Sequence, residues 1–317
     1  MQRSTLVRST RETSAGNPVD DLPGDFREIS VDDTDRLLQM FDSADKRAWC
    51  YYTPFLNCYH LPPGRSVLVG TFESSTCILS RTDRKQVIYN WVVPPVPFDG
   101  GTMDRLSNTL REMTTVDPRV QWCDEADAGQ ASKHGFKAEE KEQEYMYNPS
   151  QVAEMEGPAY KELRKRFTRA NRRYEPTVDE MTREDVPACH DLLKRWRKLQ
   201  GRKHSFLLDW GYTRAALDRF GDWSVRDLNG WCVKVDGRIS AFGMAGRMRS
   251  DQACFFVAKS DPELPGLSEV LRVHIYRALS AYQLVNDAGD LDLPGLRQHK
   301  RRFRPVEMRP VYTLHRE

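Results

Sequence analysis

Residues Trp231–Arg247 read WCVKVDGRISAFGMAGR, two apolar runs of strand length joined at Asp236-Gly237. An Asp-Gly pair between runs rich in β-branched and aromatic residues is the signature of a two-residue hairpin. Next come a third strand-like run, ACFFVAK (Ala253–Lys259), and LSEVLRVHIYRALSAY (Leu267–Tyr282), whose apolar residues recur at three- and four-residue spacing. That spacing predicts a helix with a wide buried stripe. A short strand QLVN (Gln283–Asn286), a helix PGLRQHKRRF (Pro294–Phe303) and a strand PVYTL (Pro310–Leu314) complete this half.

The same order is legible upstream. A helix near Asp33 to Phe41 precedes a hairpin-like pair, SVLVGTF (Ser66–Phe72) and TCILSRT (Thr76–Thr82), then a strand QVIYNWVV (Gln86–Val93). A helix GTMDRLSNTLREM (Gly101–Met113), a strand RVQWC (Arg119–Cys123), a short helix and a strand EYMYN (Glu144–Asn148) follow. In the second half, helices from Glu184 to Gln200, opened by a cap at Thr182 with Asp185 three residues on, and near Arg214 to Phe220 precede the meander. Helix, antiparallel meander, helix and closing strand resembles the order in GNAT-type acyltransferases. Two copies imply an α/β (α+β) fold of tandem GNAT type, two mixed sheets flanked by helices. The expected division is a partly disordered leader over 1–24, an N-terminal GNAT-like domain over 25–148 and a C-terminal one over 149–317, with the seam between Tyr147 and Tyr160.

A chain of 317 residues with 30% charged residues can bury a proper core without staples. Mean hydropathy is −0.67, and no apolar run approaches the ~18 residues that a membrane helix needs. The N-terminal segment lacks the apolar stretch of a secretory signal. Seven scattered cysteines, none in a C-x-x-C pair, predict reduced, buried thiols in a cytoplasmic protein, with neither a disulfide framework nor a zinc site.

Charge is unevenly placed. The chain carries only +2 overall, yet six Lys or Arg against one acid lie between Arg297 and Arg309. A second cluster is YKELRKRFTRANRRY (Tyr160–Tyr174), an amphipathic helix with a basic outer face, and a third runs through Lys194, Arg195, Arg197, Lys198, Arg202 and Lys203. Any one of these is what a solvated helix face looks like. Together, against the acidic segments before residue 160, they point to an anionic partner such as nucleic acid or a charged surface.

Two stretches carry a family resemblance. EYMYNPSQVAEMEGPAYKELRKRFTRANRRYE (Glu144–Glu175) and VNDAGDLDLPGLRQHKRRFRPVEM (Val285–Met308) resemble a bacterial family that includes the C-terminal aminoacyltransferase domain of phosphatidylglycerol lysyltransferases. Gly157, Tyr160, Leu163, Arg164, Lys165, Arg169 and Ala170 match the first pattern. Asn286, Asp290, Leu291, Leu293, Gly295, Leu296, Arg297, Lys300 and Pro305 fit the second, an ending closer to broad soluble members than to the lysyltransferases themselves. The resemblance implies aminoacyl-tRNA as donor and an amine or hydroxyl of a small molecule, peptide or lipid as acceptor. Peripheral membrane contact through the basic faces is compatible with it, and no metal or internal cofactor is implied.

An activated ester needs positioning and charge stabilisation more than a covalent enzyme intermediate. The expected oxyanion donors are a main-chain N–H of Ala253–Lys259 and a cation, Lys300 first and Arg304 second. Asp290 and Asp287 are candidates to orient or deprotonate the acceptor, and Asn286 to hold a polar group, although such residues also simply form turns and caps. Tyr160, Arg164, Lys165, Arg169, Arg172 and Arg301 are the expected tRNA contacts, with core packing the plain alternative for Tyr160. His274, in a mainly apolar helix, reads as a satisfied core residue rather than a base, His204 and His299 show no partner in the sequence, and His60 is expected in the core with the aromatics of AWCYYTPFLNCYH (Ala48–His60).

Two other functions remain open. A CoA-dependent N-acyltransferase would share the fold, but SDPELPGLSEV (Ser260–Val270) offers one glycine, with Asp261 and Glu263 in the loop that would meet a pyrophosphate. A non-catalytic RNA-binding module would use the same basic helices. A cleft with converging polar groups separates enzyme from module.

Overall fold

Both Asp236 and Gly237 take left-handed backbone angles, φ 49° and 73°, as a tight hairpin turn requires. They join β8 (Asn229–Val235) to β9 (Arg238–Arg247), and β10 (Gln252–Ser260) completes an antiparallel meander. Helix α9 (Leu267–Ala278) then crosses over, so β11 (Leu284–Asn286) runs parallel to β10. The computed structural model describes residues 22–83, 85–200 and 209–316. Most of the expected leader, together with Arg202, Lys203 and His204, lies outside these residues.

Earlier in the chain, β1 (Arg27–Glu28), α1 (Thr34–Ser43) and α2 (Thr53–Tyr59) lead into a meander of β2 (Arg65–Phe72), β3 (Ser75–Asp83) and β4 (Val87–Val96). Helix α3 (Gly100–Thr114) crosses to β5 (Val120–Cys123), parallel to β4, and α4 (Glu125–Ala131) leads to β6 (Phe136–Tyr147). Between the halves lie α5 (Pro149–Glu154), α6 (Lys161–Tyr174), β7 (Thr177–Glu180), α7 (Val186–Gln200) and α8 (Asp209–Asp218). The expected cap before α7 is present: Asp185 accepts from the Thr182 N–H at 3.0 Å. The order closes with α10 (Pro294–Arg302) and β12 (Glu307–Arg316).

Where two sheets were expected, the strands form one twelve-stranded mixed sheet, in the order β1-β2-β3-β4-β5-β12-β6-β11-β10-β9-β8-β7. The physical reason lies in β6 and β12. They pair antiparallel from Glu307↔Met146 to Arg316↔Phe136, and each also pairs across to the other half, β12 with β5 and β6 with β11. Neither half keeps an open edge at the centre.

The largest apolar cluster likewise draws on both halves, with Phe41, Tyr52 and Phe55 packing in the same body as Phe242 and Met244. The aromatic segment before β2 is core, as expected, whereas His60 is only half-buried, its Nδ1 accepting from the Val67 N–H at 3.1 Å. All seven cysteines are free and buried. Among the described residues no helix is long and apolar enough to cross a membrane.

Candidate active site

Strand β11 stops pairing with β10 at Asn286↔Cys254, while β10 runs on to Ser260. The strands therefore splay, and the register of β10 on β9 also slips between Phe255 and Val257, leaving Phe256 without an opposing residue. A cavity of about 540 Å³ fills the gap. One wall is aromatic, with Trp49, Trp196, Tyr212 and Phe256; Tyr212 stacks on Phe256 at 5.5 Å and 19°. The opposite wall is polar: Glu142 from β6, Ser268 and Arg272 from α9, Asp287 after β11, and His299 and Lys300 from α10. Residues of both halves thus line one site.

The polar wall is rich in titratable side chains, several of them deeply placed. Arg272, 6% exposed, pairs with Asp287, 3% exposed; the ion pair keeps two buried charges compensated. The Lys300 ammonium donates to the main-chain oxygens of Asp287 and Ala288 and stands 3.6 Å from Asp287 Oδ1. Burial lowers its pKa below the usual lysine value, with Asp287 opposing. Burial also drives the His299 imidazole well below its ordinary value, helped by Arg272, Arg302 and Lys300, so the ring is neutral near pH 7. Its Nε2 lies 3.2 Å from Ser268 Oγ. Burial raises Glu142 against the pull of Lys300 and Lys141.

Of the four residues expected to catalyse, Lys300 alone lines the cavity. Asn286 sits under its floor, where Nδ2 donates to Glu144 Oε2 at 2.7 Å and Oδ1 accepts from the Ala288 N–H at 2.8 Å. Asp290 accepts from the Tyr145 hydroxyl at 2.6 Å, Arg297 Nε at 2.7 Å and the Asp292 N–H at 3.0 Å. Burial works to raise it, but the bonds from Arg297 and Tyr145 prevail and hold it below the ordinary carboxyl value. It is a fully engaged loop anchor with no lone pair turned to the cavity wall. Arg304, at φ 58°, spends its Nε on the Ala159 oxygen at 2.8 Å on the exterior. Asp287 does reach the cavity, tied to Arg272.

The expected tRNA contacts divide in the same way. Tyr160 is buried in the core under α6, and Arg164 turns back to the main-chain oxygens of Met155 and Gly157. Arg172 and Arg301 are exposed. Lys165 and Arg169 join Arg166, Arg173 and Glu162, which accepts from Arg166 Nε at 3.1 Å, around a notch of about 170 Å³ that is closed by Pro265 and Gly266 just before α9. The notch reaches the N-cap of that helix, Gly266, and the cavity its first turn: Ser268 faces the cavity, and buried Glu269 receives Arg302 at 2.9 Å and Arg166 at 3.7 Å.

Sequence reasoning missed Glu142 and Arg272 and set His299 aside. A usable signal existed for Arg272, a charge within an otherwise apolar helix stripe. Glu142 lies in an alternating acidic run, KAEEKEQEY (Lys137–Tyr145), and nothing local marks it out.

The family model described as phosphatidylglycerol lysyltransferase, C-terminal, matches residues 36–315. Among solved structures, a conserved protein of unknown function from Bacteroides thetaiotaomicron superposes with a TM-score of 0.74 at 17% identity, covering 93% of this chain and 100% of that one. L-PGS from Bacillus licheniformis gives 0.64 at 14% identity, covering 89% and 91%. The C-terminal domain of a putative lysylphosphatidylglycerol synthetase from Agrobacterium fabrum gives 0.62 at 15%, covering 90% and 91%. At these identities the likenesses establish a shared GNAT-like fold. No curated protein sequence matches the chain.

Proposed function

Because the chain belongs to the phosphatidylglycerol lysyltransferase C-terminal family, we propose that it is an aminoacyl-tRNA-dependent aminoacyltransferase. It moves an aminoacyl group to an amine or hydroxyl of a small-molecule, peptide or lipid acceptor. The observation that carries this reading is the adjacency of a basic notch, closed by the N-cap of α9, and a polar cavity lined by the first turn of the same helix. A phosphate of an acceptor stem held at Lys165, Arg166, Arg169 and Arg173 would leave the terminal ester within reach of the cavity. Lys and Arg contacts to phosphate supply such affinity without reading sequence.

In the cavity the acceptor attacks the ester carbonyl, the bond to the ribose oxygen breaks, and the acceptor's proton passes through a nearby base or solvent to that oxygen, which leaves as a hydroxyl. Negative charge developing on the carbonyl oxygen is met by the splayed main chain about Phe256 and by the cation Lys300. Asp290, Asn286 and Arg297 act indirectly by fixing the loop after β11. A charged-tRNA donor suits a cytoplasmic protein.

One observation also suits a CoA thioester: Lys165, Arg169 and Arg173, beside the Arg166–Glu162 pair at the N-cap of α9, would accept a pyrophosphate. The two readings part in binding. Filter binding of charged tRNA over a salt series, with acetyl-CoA measured by calorimetry, is expected to give salt-sensitive RNA binding and no CoA heat. CoA binding without RNA binding would replace the donor, and RNA binding with no transfer to any acceptor would leave a binding module.

A further inference from the structure

Among the charged groups on the cavity wall, Glu142 is oddly served. Arg272 and Asp287 hold each other, and Lys300 is engaged by two main-chain oxygens. Glu142 accepts no hydrogen bond from any described residue and feels Lys300 and Lys141 only at a distance. Its oxygens are therefore open to the cavity, where an arriving donor would meet a carboxylate not already engaged.

The space this carboxylate occupies depends on a bare backbone position. A Cβ on Gly289 would stand 1.8 Å from Glu142 Oε2, so the loop after β11 packs its bare main chain against the carboxylate. A side chain at 289 would push Glu142 out of that place.

We infer that Glu142 is the specificity-determining carboxylate that binds the free α-ammonium of the donor's aminoacyl group. This rests on the aminoacyl-ester reading of the cavity. The α-ammonium lies one carbon from the reacting carbonyl, so a carbonyl at β10 and Lys300 puts the ammonium within the same small cavity. The donor's amine is the better partner than the acceptor's on chemical grounds. An acceptor amine must be neutral to attack, and a carboxylate holding it as ammonium would oppose the reaction. The donor's ammonium stays protonated, withdraws electrons from the ester and gains a charge-assisted bond.

The test uses non-hydrolysable 3′-aminoacylamido-adenosine and its N-acetyl form, titrated into the full chain by calorimetry, alongside the isosteric variant Glu142→Gln. Loss of one charge-assisted bond predicts wild-type binding about 10- to 100-fold weaker for the N-acetyl compound. Glu142→Gln should weaken the free-amine compound by a similar factor and leave the N-acetyl compound unchanged. Gly289→Ala, which displaces the carboxylate without removing it, should reproduce the loss. Equal binding of both compounds to the wild type, or equal weakening of both by Glu142→Gln, overturns the assignment alone. Binding of neither compound overturns the donor reading along with it.

Discussion

Lys300 combines two duties that are normally in tension. Its ammonium is buried, which costs solvation, and it is held by carbonyl oxygens rather than by a tight carboxylate pair. Lys300→Met keeps the volume, and transfer is expected to fall by at least about 100-fold, the scale of losing one preorganised donor to an oxyanion. RNA binding in the same filter assay should be unchanged; unchanged turnover would remove Lys300 from the site. Beneath it, Glu144 is fully buried with a pKa pushed up by burial to about 8, against donors from the Trp49 N–H and Asn286. A carboxyl that binds its proton more tightly when folded makes the folded state lose stability as pH rises from its unfolded value near 4.5 toward about 8. Thermal melts across that window should therefore decline with pH, and Glu144→Gln should flatten the profile; an identical slope in both proteins would mean that other groups set it. Sequence could not assign these roles. Asp290 and Glu142 are both plain acids in the chain, and only their partners separate an engaged anchor from an unserved carboxylate.

Helix α6 shows why charge pattern alone reads well at the level of an element and poorly within it. The basic face and the apolar stripe were both legible, and Leu163 and Ala170 are indeed buried beneath exposed cations. What the pattern hides is that Arg164 bends back to cap main-chain oxygens while Lys165 and Arg169 open onto the notch. Charge reversal at Lys165 and Arg169 together should weaken RNA binding and reduce the slope of log affinity against log salt by roughly two. The same change at Arg164 is expected to cost stability instead, seen as a lower melting temperature. An unchanged salt slope in the first variant would make the notch an ordinary solvated surface. The hairpin at Asp236-Gly237 was readable because its turn chemistry is local. The splay of β10 from β11 has no such local signal, because strand ends are set by partners far away in the chain.

At the scale of the whole molecule, the exchange of β6 and β12 is the feature that no local signal announced. PVYTL gives the existence of a last strand but not its place between β5 and β6. With that strand shared and with one apolar cluster crossing the halves, unfolding is expected to be a single transition. Fluorescence and far-ultraviolet dichroism should trace coincident curves in urea; two resolved steps would mean that the halves are independent. The shared strand also bears on the order of events during synthesis. Strand β12 supplies a partner to both β5 and β6, so the earlier half, although translated first, carries unpaired strand edges until β12 has been made. A ribosome-bound fragment that stops before β12 therefore presents sticky edges to its neighbours, and nascent chains need shielding until that strand has emerged.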